Sequence, residues 1–527
     1  MNAKIINPKD YEKRAYNLFY DRVEKEDYIG ALGIMHARLR KDPNDKTVLK
    51  NLADVYSKME EYARALFFRF KLLTLSSKEN RLFVFKDIIL DFDALDNIVL
   101  VNYYLSKIYD EYGKEGVYAV ANELGEKLNT KNTLPPFYLA YPPNEKYYKR
   151  VLEYGKQAIN ALSPSVAKTF FDQVPLEHFD EYSAKDYITV FMLEEDYEGA
   201  IKKLKELLAH YGERTFIYAY ISMAYSHLKN KEKADYYLDK TFSVYSDTED
   251  DALDLYELIK DLKPNEKFLP VYEKLSSVYK YNAEYHSDFS DLLVYLGDEE
   301  RASEEIQVAR KIEPDNSTFY LKEKQLIEKH NPEKNSEKKP EKTPFNEKVR
   351  YYESFMRVKD SVMAKSAVYS LAEKNSPLSA RALDDALLDL EVDNDVKHTI
   401  VYAKISFGYL DTISLSIDGK FYEIKPKKLT SGAQNSTFYT AVYALAISKT
   451  FESNFCTETT LKNAVNKVYK AFGDRFKGDE DLKDITATVC ILAIKELKSS
   501  VLIESFGADE KKVNKYLELI KGNQNNG

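Results

Sequence analysis

The sequence has 527 residues, of which 44% are hydrophobic and 31% are charged, and its formal net charge is −9. This length exceeds one ordinary globular core, so we expect several domains or a repeat array, and the composition excludes a disordered chain. The acidic net charge argues against a chain that binds nucleic acid through bulk positive charge.

The sequence lacks the features of secreted and membrane-spanning proteins. Cys456 and Cys490 are too few for a disulfide framework and have no metal-ligand spacing. Residues 1–9 contain no apolar signal segment, and the longest apolar runs are too short to span a bilayer. We therefore expect a cytoplasmic protein with no membrane span, and the composition resembles that of bacterial proteins.

Small residues recur at a fixed interval in the N-terminal part of the chain. The interval from Ala31 to Ala65 equals that from Ala200 to Ala234, and Ala302 follows Ala234 at twice this interval. A generic helical bundle also places alanines at helical spacing. A constant interval of about 34 residues, or a multiple of it, instead indicates stacked helix pairs.

These small residues resemble those of the tetratricopeptide repeat (TPR) family, whose paired helices cross at such positions. The resemblance implies a mainly α fold, with a TPR-like α-solenoid over residues 1–330. Clear units are expected at about 12–79 and 181–316, with degenerate units over 80–180. Each helix pair cannot bury its apolar stripe alone, so neighbours stack and leave a groove along one side. Four prolines in residues 133–144 predict an extended or turning loop.

The rest of the chain is predicted as a linker and a second domain. Residues 331–346, rich in proline, lysine and glutamate, have the composition of a charged linker. Residues 347–527 show mostly helical periodicity and resemble no family known to us. Within them, residues 412–424 alternate apolar and polar side chains on both sides of Asp418-Gly419, which is the strongest short signal for a β-hairpin. We expect one hairpin in a helical C-terminal domain.

Common catalytic and ligand-binding motifs are missing from the sequence. It contains no P-loop, no dinucleotide-binding glycine turn, no HExxH helix and no GxSxG elbow. The histidines are scattered, and none has another histidine one helical turn away. We therefore predict no catalytic residues, no metal site, no cofactor and a non-enzymatic chain. An unfamiliar enzyme in the C-terminal domain is an alternative.

The TPR resemblance also implies a binding groove, because in that family the first helix of each unit lines the concave face. The positions carried over include Tyr16, Asn17, Tyr20, Lys50, Asn51, Lys185, Phe216, Tyr220, Met223, His227, Asp288, Asp291 and Tyr295. Some members hold a C-terminal carboxylate with Lys and Asn, but Tyr16 and Tyr20 stand in those places, which disfavours that ligand. An aromatic and mixed polar groove suits a helix or an extended peptide. General use of tyrosine in this chain explains the same pattern without a groove.

We therefore interpret the chain as a scaffold or adaptor that binds a protein or peptide partner. The alternative is a peptide-sensing regulator whose C-terminal domain contacts nucleic acid or a signalling enzyme, with the basic and aromatic residues 420–428 as its contact. A solvated hairpin edge explains those lysines better, so we expect no nucleic acid partner. The sequence leaves open the partner, the oligomeric state and whether segments of the chain itself occupy the groove.

Overall fold

The structure is a computed structural model that describes residues 8–124, 145–161, 163–260, 262–330, 345–358, 361–374, 376–452, 456–476, 481–494 and 497–522. It divides into two compact units, Met1–Ser336 and Glu337–Gly527. The predicted linker (apart from Phe345 and Asn346) and the proline-rich segment 133–144 lie outside the described residues. Among the helices described, none is both long and apolar enough to cross a bilayer.

The first unit consists of helices, and most of those separated only by described residues follow one another through short turns. They are α1 (Pro8–Glu24), α2 (Tyr28–Leu39), α3 (Lys46–Lys58), α4 (Tyr62–Leu75), α5 (Lys78–Ala94), α6 (Ile98–Leu124), α7 (Glu145–Asn160), α8 (Pro164–Phe171), α9 (Glu181–Leu193), α10 (Tyr197–Tyr211), α11 (Thr215–His227), α12 (Lys231–Val244), α13 (Glu249–Ile259), α14 (Leu269–Leu275), α15 (Ala283–Leu296), α16 (Glu299–Ile312) and α17 (Ser317–His330). Most consecutive helices pack against each other, as in a stack of helix pairs.

The turn inside a helix pair has the same backbone geometry in successive pairs. The residue two positions before the second helix lies in the left-handed region, with φ of 58° at Glu26, 63° at Glu60, 57° at Glu195 and 57° at Lys229. Glu26 and Glu60 are separated by the same interval as Glu195 and Lys229, and this is the interval of the alanines. Gly297, with φ of 81°, follows Lys229 at twice this interval. The predicted interval is therefore an interval of backbone conformation as well as of sequence.

The two helices of a pair are also joined by equivalent contacts in different pairs. The Ser222 hydroxyl of α11 donates to the carbonyl oxygen of Ala234 on α12 at 2.8 Å. The Ser290 hydroxyl of α15 makes the same bond to Ala302 of α16, also at 2.8 Å. Both alanines are buried, which lets the paired helices approach closely. The predicted stack of helix pairs is confirmed.

The two ends of the first unit contact each other, which the sequence did not predict. Helix α2 packs against helix α16. The Tyr56 hydroxyl donates to the carbonyl oxygen of Ile312 at 2.5 Å, across 256 residues of sequence. The ring of Tyr28 lies edge-on to that of Tyr281, with 6.0 Å between the centroids. The stack of helix pairs therefore closes on itself as a ring.

Charged side chains form much of this contact. The Nε of Arg64 on α4 lies 3.5 Å from the carboxylate of Glu313, and both side chains are almost fully buried. His36 Nδ1 lies 3.3 Å from the carboxylate of Asp315. We refer to the contacting residues as the closure junction: His36, Tyr56, Arg64, Ile312, Glu313 and Asp315.

The second unit is helical around one hairpin. Its elements are α18 (Phe345–Met356), α19 (Ser361–Lys374), α20 (Pro377–Leu388), α21 (Asn394–Ser406), β1 (Ile413–Ile417), β2 (Lys420–Ile424), α22 (Ser431–Gln434), α23 (Thr437–Thr450), α24 (Glu458–Phe472), α25 (Leu482–Ala493), α26 (Ser499–Phe506) and α27 (Glu510–Gly522). Side chains from most of these elements form one hydrophobic core.

The hairpin has the predicted turn. Strands β1 and β2 pair antiparallel, with Ile413 opposite Ile424 and Ile417 opposite Lys420. Asp418 and Gly419 between them have φ of 49° and 73°, as the tight turn requires. The prediction of one β-hairpin in a helical domain is confirmed for the described residues.

A buried lysine joins the hairpin to the helices. Lys397 on α21 is 1% exposed, and its ammonium donates to the carbonyl oxygen of Ser416 at 2.9 Å. The Ser416 hydroxyl in turn donates to the carbonyl oxygen of Leu388 at the end of α20, at 3.2 Å. Burial lowers the pKa of Lys397 to about 8, although Asp389, Asp418 and Asp393 favour its charge.

Candidate partner-binding face of the first unit

The first helices of successive pairs curve toward one face. Lys185 of α9 forms an ion pair with Asp254 of α13 at 2.7 Å. Helix α11 lies between these two helices and contacts both. The Lys185 ammonium passes over it, 5.2 Å from the centroid of the Phe216 ring. A contact this short across an intervening helix requires curvature toward the side that carries Lys185 and Asp254, so that side is concave.

Hydrogen bonds continue this face along the stack. The Tyr256 hydroxyl of α13 donates to the carboxylate of Asp288 on α15 at 3.3 Å. The Lys322 ammonium of α17 donates at 2.7 Å both to the Ser287 hydroxyl and to the carboxylate of Asp291. One polar contact therefore follows another from α13 to α17.

Aromatic and sulfur side chains lie among these polar groups. Tyr220 and Met223 are half-buried and three positions apart on α11, which places them on one side of the helix. Tyr295, on the same stripe of α15 as Asp288 and Asp291, is 60% exposed. We define the concave face as Lys185, Tyr220, Met223, Asp254, Asp288, Asp291, Tyr295 and Lys322.

Two carboxylates of the concave face are poorly compensated. Burial raises the pKa of Asp254 to about 6, even though Lys185 lies against it. Burial likewise raises the pKa of Asp288 to about 6, with Glu284 and Asp291 adding to the effect and Lys322 opposing it. A carboxylate whose charge is disfavoured in this way gains from an additional cation. The electrostatics of the face therefore favour a positively charged ligand group.

Several of the predicted groove residues lie at the surface. Lys185, Tyr220, Met223 and Tyr295 belong to the concave face, as described above. In the first pair, Asn17 and Tyr20 are exposed, Tyr20 to 55%. Lys50 on α3 is exposed and forms an ion pair with Asp54 at 2.7 Å.

The remaining predicted groove residues are engaged by the protein itself. Phe216 is fully buried, and Asn51, 8% exposed, donates to the sulfur of Met35 at 3.8 Å, so neither offers its surface to a partner in this structure. The Tyr16 ring lies under the guanidinium of Arg38, 4.5 Å away. The His227 ring stacks on Tyr197 of α10 at 4.7 Å.

Two charged residues of the concave face were absent from the predicted groove. Asp254 lies between Ala252 and Leu255, and the sequence pattern assigns both of these to the buried side of α13. The sequence could therefore have predicted that Asp254 lies on the outward side of the helix. Lys322 lies on α17, for which the sequence indicated no groove position. Its contact with Asp291 depends on the packing of two pairs, and no local signal indicates it.

Among the residues that the structure describes, no group of three or more His, Cys, Asp or Glu side chains could hold a metal ion. In the second unit, the thiol of Cys456 lines a cavity of about 150 Å³, together with Tyr422, Phe451 and Leu461.

No family model matches the sequence, and no curated protein matches it. The solved structures similar to it include a tetratricopeptide repeat protein from Parabacteroides merdae, 13% identical over 60% of this chain and 98% of that chain, with a TM-score of 0.22. Yeast Tom70 is 13% identical over 95% of this chain and 96% of its own, with a TM-score of 0.26. The TPR domain of P58(IPK) is 14% identical over 97% and 99%, with a TM-score of 0.20.

TM-scores this low do not establish a shared overall arrangement. The class of the first unit follows from its own coordinates. Helix pairs repeat at a constant interval, the turn inside each pair has a constant geometry, and buried alanines lie where the two helices cross. These features define a TPR-like α-solenoid, as the sequence predicted. The chain as a whole is a mainly α protein in which this solenoid precedes a helical unit with one β-hairpin.

Proposed function

We propose that the chain is a non-enzymatic scaffold or adaptor and that its concave face binds a helical or extended segment of a protein partner. The observation that carries this proposal is the run of accessible polar and aromatic side chains along the curved side of the first helices. Stacked helix pairs generate such a surface without further elements, since each pair buries its apolar stripe only against its neighbours.

The side chains of the concave face suit a peptide that carries both apolar and basic residues. Tyr220 and Tyr295 offer large contact areas at a low cost in conformational entropy, and Met223 offers an adaptable apolar surface. Asp254 and Asp288 offer carboxylates to lysine or arginine. Because both carboxylates have a pKa of about 6, they are charged above that pH. Binding of a basic segment is expected to weaken as the pH falls below about 6, where they become protonated.

The test compares two exposed tyrosines, one on the first helix of a helix pair and one on the second helix of another pair. Tyr295 lies on the first helix α15 and is 60% exposed, whereas Tyr236 lies on the second helix α12 and is 56% exposed. A photo-crosslinking amino acid is placed at each position in the full-length protein in its native cells. The expected result is a discrete crosslinked partner from position 295 and none from position 236.

The captured partner then allows a quantitative test. The interacting segment is synthesised, and its dissociation constant is measured by fluorescence anisotropy. Asp288→Asn and Tyr295→Ala are expected to weaken binding by about tenfold each, the effect of roughly 1.4 kcal/mol for an interface anchor. Tyr236→Ala is the matched control and should leave the dissociation constant unchanged. Equal crosslinking from positions 236 and 295, or unchanged binding in both concave-face variants, would refute the proposal.

A further inference from the structure

Residues 425–430 follow the β-hairpin and lie along helix α24 in the second unit. The backbone amide of Lys425 donates to the carboxylate of Glu458 at 2.8 Å. Farther along, the backbone amide and the hydroxyl of Thr430 donate to the side-chain oxygen of Asn466, at 3.1 Å and 3.0 Å. Glu458 and Asn466 are about two helical turns apart on α24. The segment therefore runs beside the helix between these two side chains.

The packing of this segment turns its lysines outward. Pro426 and Leu429 are buried, and the backbone amide of Lys427 donates to the Tyr443 hydroxyl of α23 at 2.8 Å. These contacts fix the backbone, and the side chains between the buried ones are exposed: Lys425, Lys427 and Lys428. Strand β2 ends before them, so these three lysines do not form the hairpin edge that the sequence suggested.

Two lysines of α24 continue this positive surface. Lys462 and Lys470 lie one helical turn before and one helical turn after Asn466, which places them on the side of α24 that carries the segment. Lys462 is half-buried and Lys470 is exposed. We define the lysine ridge by its five members: Lys425, Lys427, Lys428, Lys462 and Lys470.

The charges of the lysine ridge are not neutralised by neighbouring side chains. Within the described part of the chain, none of its five ammonium groups forms an ion pair. Other lysines of the second unit do pair with carboxylates, namely Lys365 with Asp395, Lys404 with Asp384 and Lys512 with Asp484. Like charges held close together repel each other. The lysine ridge is therefore a preformed surface whose electrostatics favour an anionic ligand.

The surroundings of the lysine ridge favour carboxylates over nucleic acid as that ligand. Single-stranded nucleic acid binds to open aromatic faces, but Phe421 is 3% exposed and the half-buried Tyr422 packs edge-on to Phe451, with 5.5 Å between the centroids. The lysine ridge contains no arginine, the side chain that contacts phosphates in bidentate fashion. The net charge of −9 also repels a long polyanion from the chain as a whole.

We propose that the lysine ridge is a second docking surface of this chain and binds an acidic segment of a protein partner. In an extended segment, alternate residues point to the same side, which matches the exposure of Lys425 and Lys427 on either side of the buried Pro426. Because the backbone of residues 425–430 is already fixed, binding orders only side chains. The lysine ridge acts independently of the concave face, so the chain holds two partners through two separate surfaces.

The direct test is binding of a model acidic peptide to the full-length protein. The probe is a fluorescein-labelled peptide of alternating glutamate and serine, and the control probe has glutamine in place of glutamate. Fluorescence anisotropy measures both dissociation constants. The acidic peptide is expected to bind, and more weakly as the salt concentration rises from about 50 to 200 mM, because salt screens exposed charges. The glutamine peptide should not bind.

Variants then assign the binding to the lysine ridge. Lys427→Glu/Lys428→Glu reverses two exposed charges and should weaken binding of the acidic peptide by at least about tenfold. Lys427→Arg/Lys428→Arg keeps both charges and should bind as the parent does. Lys202→Glu/Lys205→Glu makes the same change in net charge at exposed lysines of α10 in the first unit, and should leave the dissociation constant unchanged.

Two controls complete the test. If Lys427→Glu/Lys428→Glu loses helical circular dichroism, Lys427→Gln/Lys428→Gln, which introduces no new charge, decides in its place. A labelled single-stranded DNA of similar length distinguishes nucleic acid from an acidic peptide. The proposal is overturned if the acidic peptide fails to bind the parent or if the reversals at 427/428 and at 202/205 weaken binding equally. It is also overturned if DNA binds more tightly than the peptide and is released by the reversal at 427/428.

Discussion

Arg69 is the side chain whose loss should most destabilise the first helix pairs. It lies on α4 and is 5% exposed. Its guanidinium donates to the carboxylate of Asp91 on α5 and, at 3.0 Å, to the Ser57 hydroxyl on α3. The carboxylate of Asp87 is 3.3 Å away. Burial raises the pKa of both aspartates, and Arg69 opposes the shift in each. One cation therefore compensates two carboxylates in a poorly hydrated space.

The magnitude of the effect follows from this burial. Arg69→Met leaves Asp91 and Asp87 without their cation, which costs about 3–5 kcal/mol for a buried pair. At about 1.4 kcal/mol per factor of ten, the opening equilibrium of α3–α5 should rise by about two to three and a half orders of magnitude. Hydrogen exchange of the backbone amides in these helices measures that opening directly.

A neighbouring ion pair provides the matched control. Lys50 and Asp54 are in contact at 2.7 Å, but their side chains are 56% and 37% exposed. Solvent screens such a pair, so Lys50→Met should cost less than about 1 kcal/mol. The double variant Arg69→Met/Asp91→Leu should recover part of the loss, since both partners then become apolar. Similar exchange rates in Arg69→Met and Lys50→Met would refute the reasoning.

Three further predictions concern single buried positions. Gly155→Ala places a Cβ 2.7 Å from the Phe171 ring, so overpacking should cost about 1–3 kcal/mol in urea unfolding; an unchanged midpoint contradicts this. Burial lowers the pKa of Lys397 to about 8 from its ordinary value of 10.5, so its positive charge destabilises the folded state below about pH 8, and this penalty is relieved as the pH rises from 8 to 10.5. The difference in free energy of unfolding between Lys397→Met and the parent should therefore shrink by up to about 3 kcal/mol over that pH range. A difference that stays constant with pH would contradict this. Burial raises the pKa of the Cys490 thiol, so iodoacetamide should modify Cys456 first and Cys490 only on unfolding, as peptide mass spectrometry would show.

Local patterns were sufficient to predict the elements of the fold. The constant interval in the sequence reflects a turn with the same conformation in each pair. Accordingly, the backbones of Glu26, Glu60, Glu195 and Lys229 all lie in the left-handed region, although their side chains are not all alike. Asp418-Gly419 specifies its turn because both residues tolerate positive φ. In each case the physical cause lies within a few residues of the pattern.

The candidate site was only partly predictable, because it depends on helix rotation and on distant contacts. Phe216 was expected in the groove, but its side chain on α11 is fully buried. Lys185 and Asp254 are far apart in sequence and meet only because three helices curve. Arg64 and Glu313 have no local feature that identifies them as partners. Ring closure is a property of the accumulated curvature of all the pairs, which no single repeat encodes.

The contact between Tyr56 and Ile312 has a consequence for how the protein acquires its structure. Each helix pair is held by neighbours in sequence and can form as soon as it leaves the ribosome. The bond between these two residues spans 256 positions of sequence. It therefore cannot form, and cannot offset the entropy cost of closing so long a loop, until α16 has been synthesised. During synthesis the nascent chain must therefore carry an unclosed array, whose first two pairs wait with His36 and Arg64 still in water. Chaperone contacts and early proteolysis should concentrate on those two pairs, and both should cease when the ends meet.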